Sequence, residues 1–422
     1  MEILSSYNLI IEVSVIIILS FLFNRISSKT NIPAVLMLII LGVAMQYALK
    51  YANVGDIDFF PVLEVLGIVG LIMIVLEAAL ELELKKEKLM PILKSLVIGL
   101  VGLVLSAWVA ALILYQFIPE MTMQSAWLYA TPLSILSSAI IIPSVTGLKE
   151  HKKEFHVYES TFSDILGIMM FYFLTGGLNP EEDAGVVGFF GNLLLTVVIA
   201  LVASYAIILI FQNIKSQIKL FLLIAVLLLL YGLGKKMHLS SLIIILIFGL
   251  VIANMRLFFK GKLTKYLKYK QAHHIYHELH TITGETAFVV RTFFFVIFGL
   301  SIAITSIFNL DVAIISSLII LSIYLIRFVL LFIFVGKDIL PQLFIAPRGL
   351  ITVLLFYAIP AEAQIATFDQ GILLFVIIGT SLIMTGAMIY DKRRSSTAIN
   401  AANSTKVGTA KWKAPVIGEQ EG

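Results

Sequence analysis

The stretch Glu159-Ser160-Thr161-Phe162-Ser163-Asp164 carries two carboxylates within one helix-length run that continues into apolar residues from Ile165 onward. A charged side chain at the centre of a bilayer costs at least about 2.5–3.5 kcal/mol on insertion scales, so two acids on one membrane-length run need a reason. Helical spacing gives them different tasks. Ser160 and Asp164 are four apart and share a face, while Glu159 and Ser163 share another, turned well away from Asp164. One acid can then face an ion cavity while the other is tied to a structural partner. Asp164 is the deeper of the two. Glu159 lies nearer a basic connector and could be an interfacial acid, just as Asp164 could be a carboxylate held permanently by an arginine.

Arginines of the right kind are present. Arg291 sits in Val289-Val290-Arg291-Thr292-Phe293, Arg327 in Tyr324-Leu325-Ile326-Arg327-Phe328, and Arg348 in Pro347-Arg348-Gly349. Each must meet an acid or backbone carbonyls, because a guanidinium does not shed its proton to escape burial. Glu77 is similarly enclosed by Val75-Leu76 and Ala78-Ala79, whereas Glu81 and Glu83 are expected at the water interface, and Glu12 and Glu64 lie towards the ends of their runs. Acids in the first half of the chain facing bases in the second would make a charge-compensated site.

These residues must be positioned by membrane helices. The chain has 422 residues, 60% of them hydrophobic and only 13% charged, with a mean hydropathy of +1.02, which a soluble core could not absorb. A hydrocarbon layer of roughly 30 Å takes about 20 helical residues to cross. Thirteen apolar runs of suitable length lie near 7–23, 31–49, 60–80, 91–117, 124–147, 158–178, 186–211, 218–234, 239–256, 285–306, 310–335, 340–361 and 370–390. Arg25 and Lys29, Lys85 to Lys88, Lys149 to Lys153, Lys215, the cluster from Arg256 to Lys270, Lys337, and Lys392 to Arg394 fall in alternate connectors. The other connectors hold little basic charge and carry Glu181, Glu182 and Asp183. The positive-inside rule therefore predicts an outside N-terminus and a cytoplasmic C-terminus. There is no cysteine and no His-Glu-x-x-His pattern, so neither thiol chemistry nor a zinc hydrolase is expected, and no cofactor is called for. The small net charge of +4 resides in short loops and does not predict nucleic-acid binding.

Two runs are broken by proline and small residues. The fifth contains Thr131-Pro132-Leu133-Ser134, then Ser137-Ser138 and Pro143; the twelfth contains Pro347-Arg348-Gly349 and ends at Pro360. Freed backbone carbonyls at membrane depth are tolerated where they line a cavity or meet an ion. Their matching places predict an all-α polytopic fold of two inverted six-helix repeats, about 7–178 and 218–390, joined by a linking helix at 186–211. The fifth and twelfth helices would be interrupted and would cross. Residues 1–390 form the transmembrane domain in this reading, and 391–422 a polar, disordered cytoplasmic tail. The basic, aromatic connector at 257–284 is expected to lie along the membrane surface. It carries His273, His274, His277, Glu278 and His280 at helical spacing, a polar face that could also bind metal or sense pH.

In order along the chain, these features resemble the monovalent cation:proton antiporters, which include the sodium/proton exchangers. Leu76-Glu77-Ala78-Ala79-Leu80-Glu81-Leu82 resembles the family's Phe-Glu-Gly-Gly-Leu-Glu-Leu stretch, and Glu159 to Asp164 its Glu-Ser-x-x-Asn-Asp signature. Glu285 with the aromatic run to Gly299, Arg327, and Pro347-Arg348-Gly349-Leu350 resemble its tenth, eleventh and twelfth spans. The resemblance implies that Asp164 binds either a proton or the cation, with Ser160 and unwound backbone near Thr131 as further ligands. It implies that Glu159 pairs with Arg327, or alternatively Arg348, and that Glu77 attracts cations at a cytoplasmic funnel. It also implies a homodimer in a cell membrane, with a bacterial inner membrane expected.

Ser163 stands where the family usually carries Asn or Asp, and the fifth-span break lacks the aspartate of many relatives. Asp164 is then the one obvious carboxylate at the core of the site, with Ser163 a neighbouring oxygen. One carboxylate exchanging one proton for one Na+ would be electroneutral. A K+/H+ antiporter, or a sodium-coupled solute transporter of similar architecture, is the alternative, and Li+ is a further candidate cation.

Overall fold

In hydrocarbon every backbone N–H and C=O must be paired within the protein, and an apolar run meets that demand as a helix. The computed structural model describes residues 6–30, 32–51, 60–82, 84, 86–176, 185–214, 219–237, 241–301, 306 and 308–406, and these contain no β-strand. Glu83, Lys85, Glu181, Glu182, Asp183, Lys215 and residues 407–422 lie outside them. The helices are α1 (Ser6–Thr30), α2 (Ala34–Tyr51), α3 (Phe60–Glu81), α4 (Leu89–Phe117), α5 (Met123–Ser134), α6 (Ser138–Ser144), α7 (Glu150–Gly176) and α8 (Gly185–Phe211). They continue as α9 (Lys219–Lys236), α10 (Ser241–Ala253), α11 (Met255–Phe258), α12 (Tyr269–Ser301), α13 (Leu310–Phe334), α14 (Leu350–Tyr357) and α15 (Gly371–Lys406). Each apolar run falls on one of these helices, and the fifth and twelfth runs fall on broken ones.

The helices pack as two bundles. In one, α4 contacts α5, α7 and α13, with α6 on α7, α14 on α5 and α15 on α13; in the other, α12 packs on α2 and α3, and α10 on α3, α8 and α9. Each bundle draws helices from both halves of the chain. Packing between them is sparser and runs mainly through α3 against α7 and α14. The α2–α12 contact brings backbone against backbone. A Cβ on Gly42 would lie 2.1 Å from the Val296 carbonyl oxygen, and one on Gly299 would lie 2.4 Å from that of Ile39. Small residues give membrane helices their close van der Waals contact, since lipid removes any hydrophobic drive for association.

The two broken spans meet. Pro132 lacks the amide that would continue the helical ladder, and α5 ends at Ser134. The backbone groups left open between α5 and α6 find partners elsewhere. Leu136 N–H donates to Ser163 Oγ at 3.0 Å, and Ser137 N–H donates to the Pro347 carbonyl at 3.0 Å. The Leu133 carbonyl accepts from Arg348 Nε at 2.8 Å. Residues 345–349 run without helix before α14 begins at Leu350. Gly349 is required there by space, because an added Cβ would sit 2.4 Å from Ser137 Oγ.

Two segments differ from expectation. The later part of the connector expected at 257–284 is not separate from the tenth span. From Tyr269 it is continuous helix into α12, because Ala272, Ile275, Leu279 and Thr283 form one buried stripe that packs on the protein. Helix α15 likewise runs on to Lys406, past Ser395 where the polar tail begins. Extending an existing helix avoids the nucleation cost that keeps an isolated polar segment unfolded.

Candidate functional site

Helix α7 presents its two acids on different faces, and the structure gives them opposite surroundings. Both are buried, Glu159 at 1% exposure and Asp164 at 2%, so partners rather than depth distinguish them. Arg327 of α13 binds Glu159 in a fork, Nη1 to Oε1 at 2.7 Å and Nη2 to Oε2 at 2.9 Å. The same guanidinium donates from Nε and Nη2 to the Gln342 carbonyl, at 3.1 Å each. Two parallel charge-assisted bonds satisfy the geometry that makes a buried pair tolerable. His156, one turn earlier on α7, places Nδ1 3.4 Å from Glu159 Oε2, and neither ring nitrogen has a hydrogen-bond partner.

Asp164 has no such partner. The hydroxyl and amide of Ser138, at the start of α6, approach its carboxylate, yet neither oxygen makes a hydrogen bond of acceptable geometry. Two hydroxyls that the sequence offers as ligands are committed as donors to their own helices. Ser160 Oγ donates to the His156 carbonyl at 2.7 Å and Thr131 Oγ1 to that of Trp127 at 2.7 Å. A hydroxyl whose proton is already used can present only its lone pairs to a neighbour, as an oxygen ligand for a cation does. Ser163 is different. Its oxygen accepts from Leu136 and lies with Glu159, Arg327 and Arg348 around a small space of about 30 Å³ on the far side of α7.

Arg348 is buried without a carboxylate. It is held by the Leu133 carbonyl, by the Ala346 carbonyl at 2.9 Å from Nη1, and by its own amide on Thr380 Oγ1 at 3.1 Å. Its charge therefore rests against carbonyls at the crossing, where the broken helices leave them open. Arg327, not Arg348, is the partner of Glu159.

A cavity of about 340 Å³ lies between the bundles, bordered by the C-terminal ends of α1 and α3, by α6 along its length, by the start of α2, and by α12 from Gly284 to Thr292. Asn24 is exposed at its edge, Glu77, Glu81 and Arg291 line it, and Ser138 forms part of its wall. Ser138 thus stands between the cavity and Asp164. Arg291 Nη2 reaches Glu77 Oε2 at 3.2 Å and its Nη1 reaches the Ala139 carbonyl at 3.3 Å, so this second cross-half pair borders the open space. Glu285 is not brought to the site. It projects from the exposed face of α12, on the other side from Thr283 and Ala287. Glu12 is also exposed.

This set of residues falls within a recognised protein family. A family model described as the transmembrane part of sodium/hydrogen exchangers matches residues 13–389. The chain belongs to the sodium/hydrogen exchanger family. It is a multi-pass membrane transporter that exchanges a monovalent cation for protons, and it is not an enzyme. Two solved structures of the sodium proton antiporter MjNhaP1 from Methanocaldococcus jannaschii share the fold. The structure at pH 8 is 17% identical with a TM-score of 0.65, covering 90% of this chain and 95% of that one. An electron-microscopy structure is 18% identical with a TM-score of 0.66, covering 97% and 100%. A comparison with curated proteins gives no match.

Three residues of this candidate site carry weaker signals in the sequence. His156 is legible only through its three-residue spacing to Glu159. Ser138 is one of several serines at the fifth-span break, and nothing local marks it as the one facing Asp164. Gln342 contributes a backbone carbonyl, for which side-chain identity gives no signal.

Proposed function

We propose that the protein is an electroneutral Na+/H+ antiporter in which Asp164 is the single carboxylate that carries a proton or a cation. One observation supports this above the others. Among the described residues Asp164 is the buried acid with no ion pair and no hydrogen bond, while Glu159, equally buried, has both. A bare carboxylate in that position is costly to enclose, and either a proton or Na+ removes the cost. The two ions then compete for one place. Ser160, Ser138 and Thr131 supply candidate oxygen ligands, and Ser163 holds the crossing rather than the cation. Glu77, on the cavity wall beside Arg291, draws cations inward.

Transport follows by alternating access. The bundle carrying α5, α6, α7 and α14 moves against the bundle of α2, α3 and α12, exposing Asp164 first to one side and then to the other. Glu159 and Arg327 keep α7 and α13 together as this bundle moves. The neutral site moves freely and the bare carboxylate does not, and this rule couples the gradients. The cavity between the bundles belongs to a cytoplasm-facing state, with the N-terminus outside and the C-terminus in the cytoplasm of a bacterial cell. The protein works as a homodimer with residues 1–390 as its transport domain and related halves at about 7–178 and 218–390.

The test is dissipation of a pH gradient in proteoliposomes on adding sodium, lithium or potassium, with Asp164→Asn alongside. A sodium response lost in the variant supports the reading. A response to potassium alone would transfer the mechanism to that ion, and silence with every cation from folded protein would defeat it. Insensitivity of the rate to an imposed membrane potential is the expected sign of one-for-one exchange.

A further inference from the structure

Beside the buried stripe of α12 runs a half-exposed flank, and histidines occupy it. His273 and His277 are one helical turn apart, so their side chains stack along the axis. Their Nε2 atoms converge to 3.1 Å, with ring centroids 4.5 Å apart and planes at 74°. His273 is further fixed by rings above and below. It is stacked with Tyr269 at 5.4 Å and with Tyr276 at 5.8 Å. Tyr276 is itself anchored, its hydroxyl donating to the Leu80 carbonyl of α3 at 3.1 Å. The helix beneath is clamped by Ala272, Ile275 and Leu279, all buried. The two imidazoles are therefore preorganised on a rigid support, with His277 open to solvent.

We propose that His273 and His277 chelate a borderline-soft divalent transition-metal ion through their Nε2 atoms, at a site separate from the cation path. Two neutral imidazoles whose nitrogens meet at this separation can share one metal ion, each carrying its proton on Nδ1 instead. Imidazole donors select zinc, nickel or copper over sodium, magnesium and calcium, which prefer oxygen. Among the described residues no cluster of three or more His, Asp or Glu side chains is arranged as a metal centre. The site is thus bidentate and completed by water, which makes it exchangeable rather than structural. The neighbouring His274–Glu278 pair, with Nε2 to Oε1 at 3.2 Å, points from an adjacent strip of the helix and is a distinct competitor for metal. The proposal stands whether or not Asp164 is the transport carboxylate.

The experiment uses full-length, tag-free protein in detergent, stripped with chelator and titrated with Zn2+ or Ni2+ by calorimetry. Copper(II) paramagnetic resonance reports the nitrogen ligands. Expected are one ion per chain, nitrogen coordination, and release on acidification, since protonated imidazole cannot ligate. His277→Ala and His273→Ala should each lose most of the affinity. Alanine is favourable in a helix, and an unchanged gel-filtration profile establishes that the variants fold. His274→Ala should bind as wild type does. Absence of binding to wild type, binding that survives both the His273 and His277 substitutions, or loss in His274→Ala alone would each overturn the assignment.

Discussion

The amide of Ser137 donates to the carbonyl of Pro347 at 3.0 Å, tying the break in one half of the chain directly to the break in the other. Each interruption thus uses backbone groups that its partner leaves open, and Gly349 lets the two strands approach. Gly349→Val should force Ser137 away and cost about 1–3 kcal/mol, the usual range for overpacking. Antiport should fall further than stability does, because Ser138 and its neighbours move with Ser137. Thermal unfolding and liposome flux measured on the same preparation separate the two effects.

The Glu159–Arg327 fork predicts a strongly non-additive pair. Arg327→Met leaves an uncompensated buried carboxylate and should destabilise by about 3–5 kcal/mol. Adding Glu159→Leu should recover most of that loss, because an apolar pair of similar size replaces the charges. A denaturation cycle over the two single variants and the double variant checks this. Equal losses that simply add would contradict the pairing.

At the cavity wall, Glu77 and Arg291 are partly exposed, at 24% and 17% of their side chains. Their influence on the protein's fold should therefore be modest and screened. Glu77→Gln should raise the sodium concentration needed for half-maximal antiport by several-fold while leaving the maximal rate nearly intact. Raising ionic strength should shrink the difference, as attraction by a partly exposed charge requires.

The approach of α2 to α12 gives a purely steric prediction. Gly299→Ala would place a methyl carbon 2.4 Å from the Ile39 carbonyl oxygen, against backbone that cannot rotate aside. A fall in melting temperature is expected without a change in cation preference. Gly191→Ala, which meets no atom within 4 Å, should leave stability unchanged or slightly higher.

Much of this molecule is legible in its sequence because the membrane imposes strict rules. Apolar length marks the spans, and Pro132 and Pro347 mark the spans that break. Position on a helix separates Asp164 from Glu159. What lies beyond reach is long-range pairing. Glu159 and Arg327 are 168 residues apart, and no local pattern says which of Arg291, Arg327 and Arg348 in the second half closes on which acid. Backbone acceptors are equally silent, as the Gln342 and Leu133 carbonyls illustrate. The stripe from Ala272 to Thr283 shows a different difficulty. An amphipathic face is readable, but lipid and protein are equally apolar, so the pattern cannot say which one covers it.

The most direct test is the pH dependence of the apparent sodium affinity of wild-type protein in liposomes, at matched pH on both sides. Competition between one proton and one cation at Asp164 predicts that the half-saturating sodium concentration rises about tenfold for each unit of acidification in the acidic limb. Asp164→Asn should abolish both transport and the dependence. A twofold steeper slope, or competition that survives in Asp164→Asn, would contradict the single-carboxylate account.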